Sequence, residues 1–151
     1  MKGYAYVFLR RDGAPLPPGC AGHTGWGFLL REDGTCRFGA TENPSGKSFI
    51  SPGGDNGAWE GEGDQAAMLA AMRARNYDAY KVAGIRNFNP SAAEAAAKAV
   101  KSAGYRAIGS NCLDHTYQVL RAYGVEDLPW LQTHPSPNDW FALFNGQYQE
   151  V

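Results

Sequence analysis

Apolar positions come in short alternating blocks through the first half of the chain and return at helical spacing through the second. Tyr4–Leu9 is an apolar run closed by Arg10-Arg11, which predicts a first strand. Gly25–Arg31 and Thr35–Ala40 read as two further strands joined by a turn at Asp33-Gly34, and Ser48–Ile50 as a short fourth. The stretch from Ser51 to Gly63 is dense in Gly, Pro, Asp and Asn and predicts a long surface loop. As a plain connection it would simply be solvated; as a lid it would use its glycines as hinges and Trp59 as its apolar contact. Ala, Met and Leu between Asp64 and about Asn76 predict a helix that Asp64 caps, and Tyr80–Arg86 predicts another strand. Ser91-Ala92-Ala93-Glu94 has the form of a capping box opening an Ala-rich helix that stops at Gly104. A last helix is expected near Pro137-Asn138-Asp139-Trp140, with Ser136 as its cap. Strands early and capped helices late describe an α+β fold, an antiparallel sheet packed against helices. With no internal repeat and no linker-like stretch, residues 1–151 read as a single domain.

One helix start carries candidate chemistry. Gly109-Ser110-Asn111-Cys112-Leu113-Asp114-His115 runs into a helical pattern in which Leu113, Tyr117, Val119, Leu120 and Tyr123 form an apolar face. Gly124 suits the residue just past the end of that helix. Asn111 or Ser110 supplies the cap, so Cys112 falls in the first turn, where unpaired N–H groups and the positive dipole end favour thiolate over thiol. A cysteine so placed can act as a nucleophile, and its own N–H can help hold an oxyanion.

Such a thiol needs a base, and the chain has three histidines: His23, His115 and His134. His23 lies in Gly22-His23-Thr24-Gly25-Trp26-Gly27-Phe28-Leu29-Leu30, at the head of a strand, where its imidazole can face a helix start across a cleft. His115 follows Cys112 by three residues on nearly the same helical face and aims along the helix surface; His134 sits among prolines. His23 is the favoured base.

A glycine-flanked His opening a strand, followed far downstream by Asn-Cys opening a helix, resembles the circularly permuted papain-like enzymes. These include the lecithin–retinol acyltransferase group, the permuted NlpC-type amidases and the PPPDE isopeptidases. In unpermuted members the Cys precedes the His, whereas here His23 precedes Cys112. Tyr105–Cys112 resembles the strand-like lead into the nucleophile helix, and Phe38-Gly39 is similar to the aromatic-Gly pair after the His strand in PPPDE proteins. The likeness covers roughly residues 20–40 and 104–124. Two positions depart from it: several of these families carry an aromatic where this chain has His115, and the polar residue that orients the His has no clean match, Glu42 being the best candidate. The resemblance implies a permuted papain-like fold and a catalytic set of Cys112, His23 and Glu42. Trp26, Trp59, His115 and Asn111 are the candidate substrate contacts.

Composition narrows the field. The 44% hydrophobic and 13% aromatic content argues against disorder. A net charge of −1 with no basic run longer than Arg10-Arg11 gives no nucleic-acid footprint. The first apolar run is too short for a signal core or a membrane span. Three cysteines without paired spacing fit a reducing compartment, so a cytoplasmic protein is expected, with Cys20 and Cys36 as small packing residues. Thr41-Glu42-Asn43-Pro44-Ser45-Gly46-Lys47-Ser48 ends like a phosphate-binding loop, but Thr41 stands where Gly belongs, and Pro52, Gly53 and Gly54 forbid the helix that must follow. Cys112, His115 and His23 could together ligate zinc, yet no C-x-x-C or H-E-x-x-H spacing is present, so neither metal nor cofactor is expected.

The expected chemistry is acyl transfer through a Cys112 thioester, with His23 as base and then acid, acting on a peptide, isopeptide or cell-wall type amide. Water as acceptor makes the protein a cysteine hydrolase; a lipid or amine makes it a thiol acyltransferase. A non-catalytic binding module that keeps a papain-like cleft is the alternative outside enzyme chemistry.

Overall fold

A computed structural model describes residues 1–13, 15–16, 19–42, 50–51, 57–106 and 110–151. In chain order the elements are β1 (Gly3–Arg10), β2 (Pro15–Leu16), β3 (Gly19–Cys20), β4 (His23–Leu29), β5 (Cys36–Thr41), β6 (Ile50–Ser51), β7 (Ala58–Gly63), α1 (Gln65–Ala74), β8 (Ala79–Ile85), α2 (Pro90–Lys101), β9 (Tyr105–Arg106), α3 (Cys112–Tyr123), α4 (Pro137–Leu143) and β10 (Gln147–Glu150). Six strands form one sheet in the order β10-β8-β1-β4-β5-β7, with every neighbouring pair antiparallel. The α+β class and the antiparallel sheet expected from the sequence are both present.

Strand alternation sends side chains to two covered faces. Ala5, Val7 and Leu9 of β1, with Trp26 and Phe28 of β4, join a core shared with Ala93 and Ala97 of α2, Leu113, Val119, Leu120 and Tyr123 of α3, and Trp140 and Phe141 of α4. Tyr6 and Phe8, with Cys36, Phe38 and Ala40 of β5, pack on the other face against Met68 and Met72 of α1 and Tyr77. The Tyr123 hydroxyl ties the end of α3 to the sheet, donating to the Leu29 carbonyl at 2.8 Å and accepting from the Tyr4 N–H at 3.2 Å. Cys36 is a buried packing residue, as expected.

Several elements differ from the sequence reading, among them the short pair β2 and β3, which it does not contain. Ala58–Gly63 lies in β7, an edge strand paired with β5, where a loop is expected. Its glycines have a packing reason: a Cβ on Gly61 would stand 2.5 Å from the Phe38 ring. The helix α2 begins at Pro90 under an Asn89 cap, whose side chain accepts from the Ala92 N–H, so Asn89 replaces the expected Ser91 box. The strand β10 is exposed and, apart from Tyr148, polar, and hydropathy does not mark it. Ser48 and Phe49 of the expected fourth strand, the phosphate-loop-like residues 43–48, residues 52–56 of the expected loop and the Cys20 side chain lie outside the described residues. Among the described residues no helix is long and apolar enough to cross a membrane.

Candidate active site

The start of α3 is built by a reciprocal cap. Asn111 Oδ1 accepts from the Leu113 and Asp114 N–H groups at 3.0 Å each, while Asp114 Oδ2 accepts from the Asn111 N–H at 2.9 Å. At the other end Gly124 takes φ 118°, a left-handed value, and a Cβ there would stand 2.3 Å from the Asn87 carbonyl oxygen. Cys112 is therefore the first residue of a helix fixed at both ends. With the next two N–H groups held by Asn111, the Cys112 N–H has no acceptor among the described residues. It stands at the positive end of the helix dipole beside the thiol.

β4 brings His23 to this helix start. The imidazole faces the Cys112 thiol closely enough for each to shift the other's protonation, and its Nε2 lies 2.7 Å from Glu42 Oε2 as an ion pair. With Nε2 at ion-pair distance from the carboxylate, though not aligned for a hydrogen bond, Nδ1 is the nitrogen left to face the sulfur. Thr24, the next residue of β4, adds its backbone N–H and its hydroxyl beside the sulfur. That hydroxyl is buried and has no hydrogen-bond partner among the described residues.

Glu42 follows directly on β5 and is held from two more directions. Its Oε1 accepts from Trp59 Nε1 at 3.1 Å and from the Tyr77 hydroxyl at 3.3 Å. Tyr77 also packs on the His23 ring, with centroids 5.8 Å apart. It comes this close because Gly25 has no side chain: a Cβ there would meet the Tyr77 hydroxyl at 3.2 Å and the Gly39 carbonyl at 3.0 Å. The Arg75 guanidinium lies 3.9 Å over the Trp59 ring.

These contacts set the protonation states. Burial alone would push the Glu42 carboxyl up, but the facing His23 and the Trp59 and Tyr77 donors outweigh it and hold the group down at about 2. Burial would push the His23 imidazole down, but the facing Cys112 and Glu42 charges raise it. Burial would raise the Cys112 thiol, yet the facing charge of His23, with Thr24, brings it below the usual thiol value. Cys36, with no cationic partner, is pushed up by burial to about 11. Both members of the Cys112–His23 pair thus shift toward thiolate and imidazolium.

The candidate substrate contacts divide differently from the sequence reading. Trp26 is 2% exposed and stacks on Phe28 inside the core, out of a substrate's reach. His115 is fully buried, with Nδ1 2.8 Å from the Thr41 hydroxyl and Nε2 2.9 Å from the Ser110 hydroxyl, because its side chain turns under the helix toward the sheet. It therefore contacts neither solvent nor a substrate. Asn111 caps α3, and Trp59 holds Glu42. Tyr77 and Thr24 belong to the site and carry no sequence signal: an aromatic and a threonine beside apolar runs read as core. Of the strand-like lead into Cys112, Tyr105 and Arg106 form β9 and pair with β6, whereas residues 107–109 lie outside the described residues. His134 lies elsewhere, its N–H bonded to the Trp130 carbonyl at 3.0 Å.

A groove of about 1160 Å³ runs along the outer side of α3 from Asn111, Leu113 and Asp114 to Gly124, its far wall formed by Leu128, Trp130 and Leu131. Among the described residues no group of three or more His, Cys, Asp or Glu side chains could hold a metal ion. No family model, curated protein or solved structure matches the chain.

Proposed function

We propose that the protein is a cysteine-dependent acyl-transfer enzyme acting on amide bonds, a hydrolase when water is the acceptor, with a permuted papain-like order of His23 before Cys112. The observation that carries this reading is the imidazole held between a carboxylate and a thiol, with both partners' protonation shifted toward the ion pair. In the reaction, the Cys112 thiolate attacks the carbonyl carbon and the carbonyl oxygen becomes an oxyanion within reach of the Cys112 N–H. The imidazolium gives its proton to the leaving amine as the C–N bond breaks, leaving a thioester. Neutral His23 then takes a proton from water, which attacks the thioester and releases the acid and the thiol. Glu42 keeps the ring oriented and stabilises its positive charge. The groove on the outer side of α3 begins at the residues on either side of Cys112 and offers room for the substrate beyond the scissile bond.

The test uses an activated ester, p-nitrophenyl acetate, and mass spectrometry of the protein. Acetylation at Cys112 is expected, with nitrophenol release slowed by about 10²–10⁴-fold in His23→Ala and no acetyl-cysteine in Cys112→Ser. Wild-type protein that acetylates Cys112 no faster than Cys36 contradicts the reading and favours a binding module.

A further inference from the structure

His115 takes no part in the thiol chemistry above, yet both its nitrogens are held and the residue is fully buried. Proton bookkeeping fixes its form. Ser110 Oγ lies 3.2 Å from the Gly104 carbonyl, which can only accept, so the single hydroxyl proton of Ser110 is committed there. Ser110 Oγ must then accept from His115 at 2.9 Å, which places a proton on Nε2. Nδ1 of the neutral ring is an acceptor and takes the Thr41 hydroxyl proton at 2.8 Å. Burial disfavours the charged ring and outweighs the opposing pull of Asp114.

The two ends of this bridge sit at either side of the candidate site. Thr41 is the last residue of β5, immediately before Glu42, and Ser110 is the residue before the Asn111 cap of α3. We infer that His115, as the neutral Nε2–H tautomer joining Thr41 to Ser110, is a positioning residue that ties the Glu42 end of β5 to the start of α3. It thereby sets how Glu42, His23 and Cys112 meet. The inference rests on the acyl-transfer reading for its consequence, and its geometry is independent of that reading.

Nitrogen-15 NMR of the wild-type imidazoles reads the tautomer directly, and site-resolved iodoacetamide alkylation of Cys112 against pH reads the consequence. The neutral Nε2–H form of His115 is expected at pH 7. Thr41→Val, which keeps the shape and removes the hydroxyl, should raise the alkylation midpoint of Cys112 toward the ordinary thiol value of about 8.5. Its rate at pH 6 should fall on the order of tenfold to a hundredfold. Thr41→Ser should restore both, which a loss of packing alone would not predict. An Nδ1–H tautomer or an imidazolium overturns the inference without any variant, so it stays decidable even if Thr41→Val folds poorly. A Thr41→Val midpoint equal to a depressed wild-type midpoint overturns the inference and leaves acyl transfer standing. An ordinary wild-type profile instead overturns the acyl-transfer reading and, with it, the role assigned to His115.

Discussion

Three side chains converge on Glu42. Its two oxygens divide the work: Oε2 meets His23, and Oε1 takes Trp59 and Tyr77. A carboxylate fixed at both oxygens cannot swing away from the imidazole, and its charge favours the imidazolium form. Tyr77→Phe removes one donor while keeping the ring on His23. The Glu42 pKa is therefore expected to rise from about 2, as carbon-13 NMR titration of the side-chain carboxyl would show. Trp59→Phe should act in the same direction by removing the indole donor. An unchanged titration in both variants would mean that neither hydrogen bond favours the charged carboxylate.

At the scale of elements, the helix carrying Cys112 is the best-specified part of the chain. Asn111→Ala removes the acceptor for two N–H groups and should lower the unfolding free energy by about 1 kcal/mol in urea titration. That helix was legible because its cap, its apolar face and Gly124 are all local signals. The strand β7 was not, because Gly61 and Gly63 look like loop residues until Phe38 and Ala67 are seen beside them. Nor was β10, which is ordered by backbone pairing to β8 and by Tyr148, whose hydroxyl accepts from Arg11, both partners distant in sequence, and whose ring meets Phe141. The site divides in the same way. Chain order and helix position suggested Cys112 and His23, and Glu42 lay close enough in sequence to be a candidate. Tyr77 was hidden because its contacts come from pairings distant in sequence. His115 looked like a surface histidine because nothing local reveals that its face of α3 packs toward Thr41. Trp26 and Trp130 illustrate the limit of residue type as a guide: one is 2% exposed, the other 70%. Trp26→Ala should cost about 3–5 kcal/mol, and Trp130→Ala less than about 0.5 kcal/mol, in the same titration.

Across the whole molecule, a sheet covered on both faces holds the site at the end of β4 and β5, where the helix start of α3 meets it. The site's charges therefore contribute to the stability of the fold. Glu42 is depressed from a usual value of about 4.3. Its stabilising contribution is fully present above that value and is lost as pH falls through about 2. The stability gap between wild type and Glu42→Gln, measured by urea unfolding, should accordingly be constant from about pH 4.3 to 6.5, where His23 is charged in both folded and unfolded chains, and close toward pH 2. A gap independent of pH would show that the carboxylate is not what the two proteins differ by.

The central claim is that Cys112 is a thiolate because His23 is an imidazolium. The most direct measurement is the rate of Cys112 alkylation by iodoacetamide from pH 4 to 10, resolved by peptide mass, in wild type and in His23→Ala. The account predicts wild-type reactivity that persists well below the ordinary thiol value of about 8.5, and a His23→Ala profile displaced to or above that value. His115→Ala, if it folds, should retain more of the low-pH reactivity than His23→Ala, because His115 touches neither the sulfur nor the carboxylate. Low-pH reactivity that survives in His23→Ala and vanishes in His115→Ala would contradict the account.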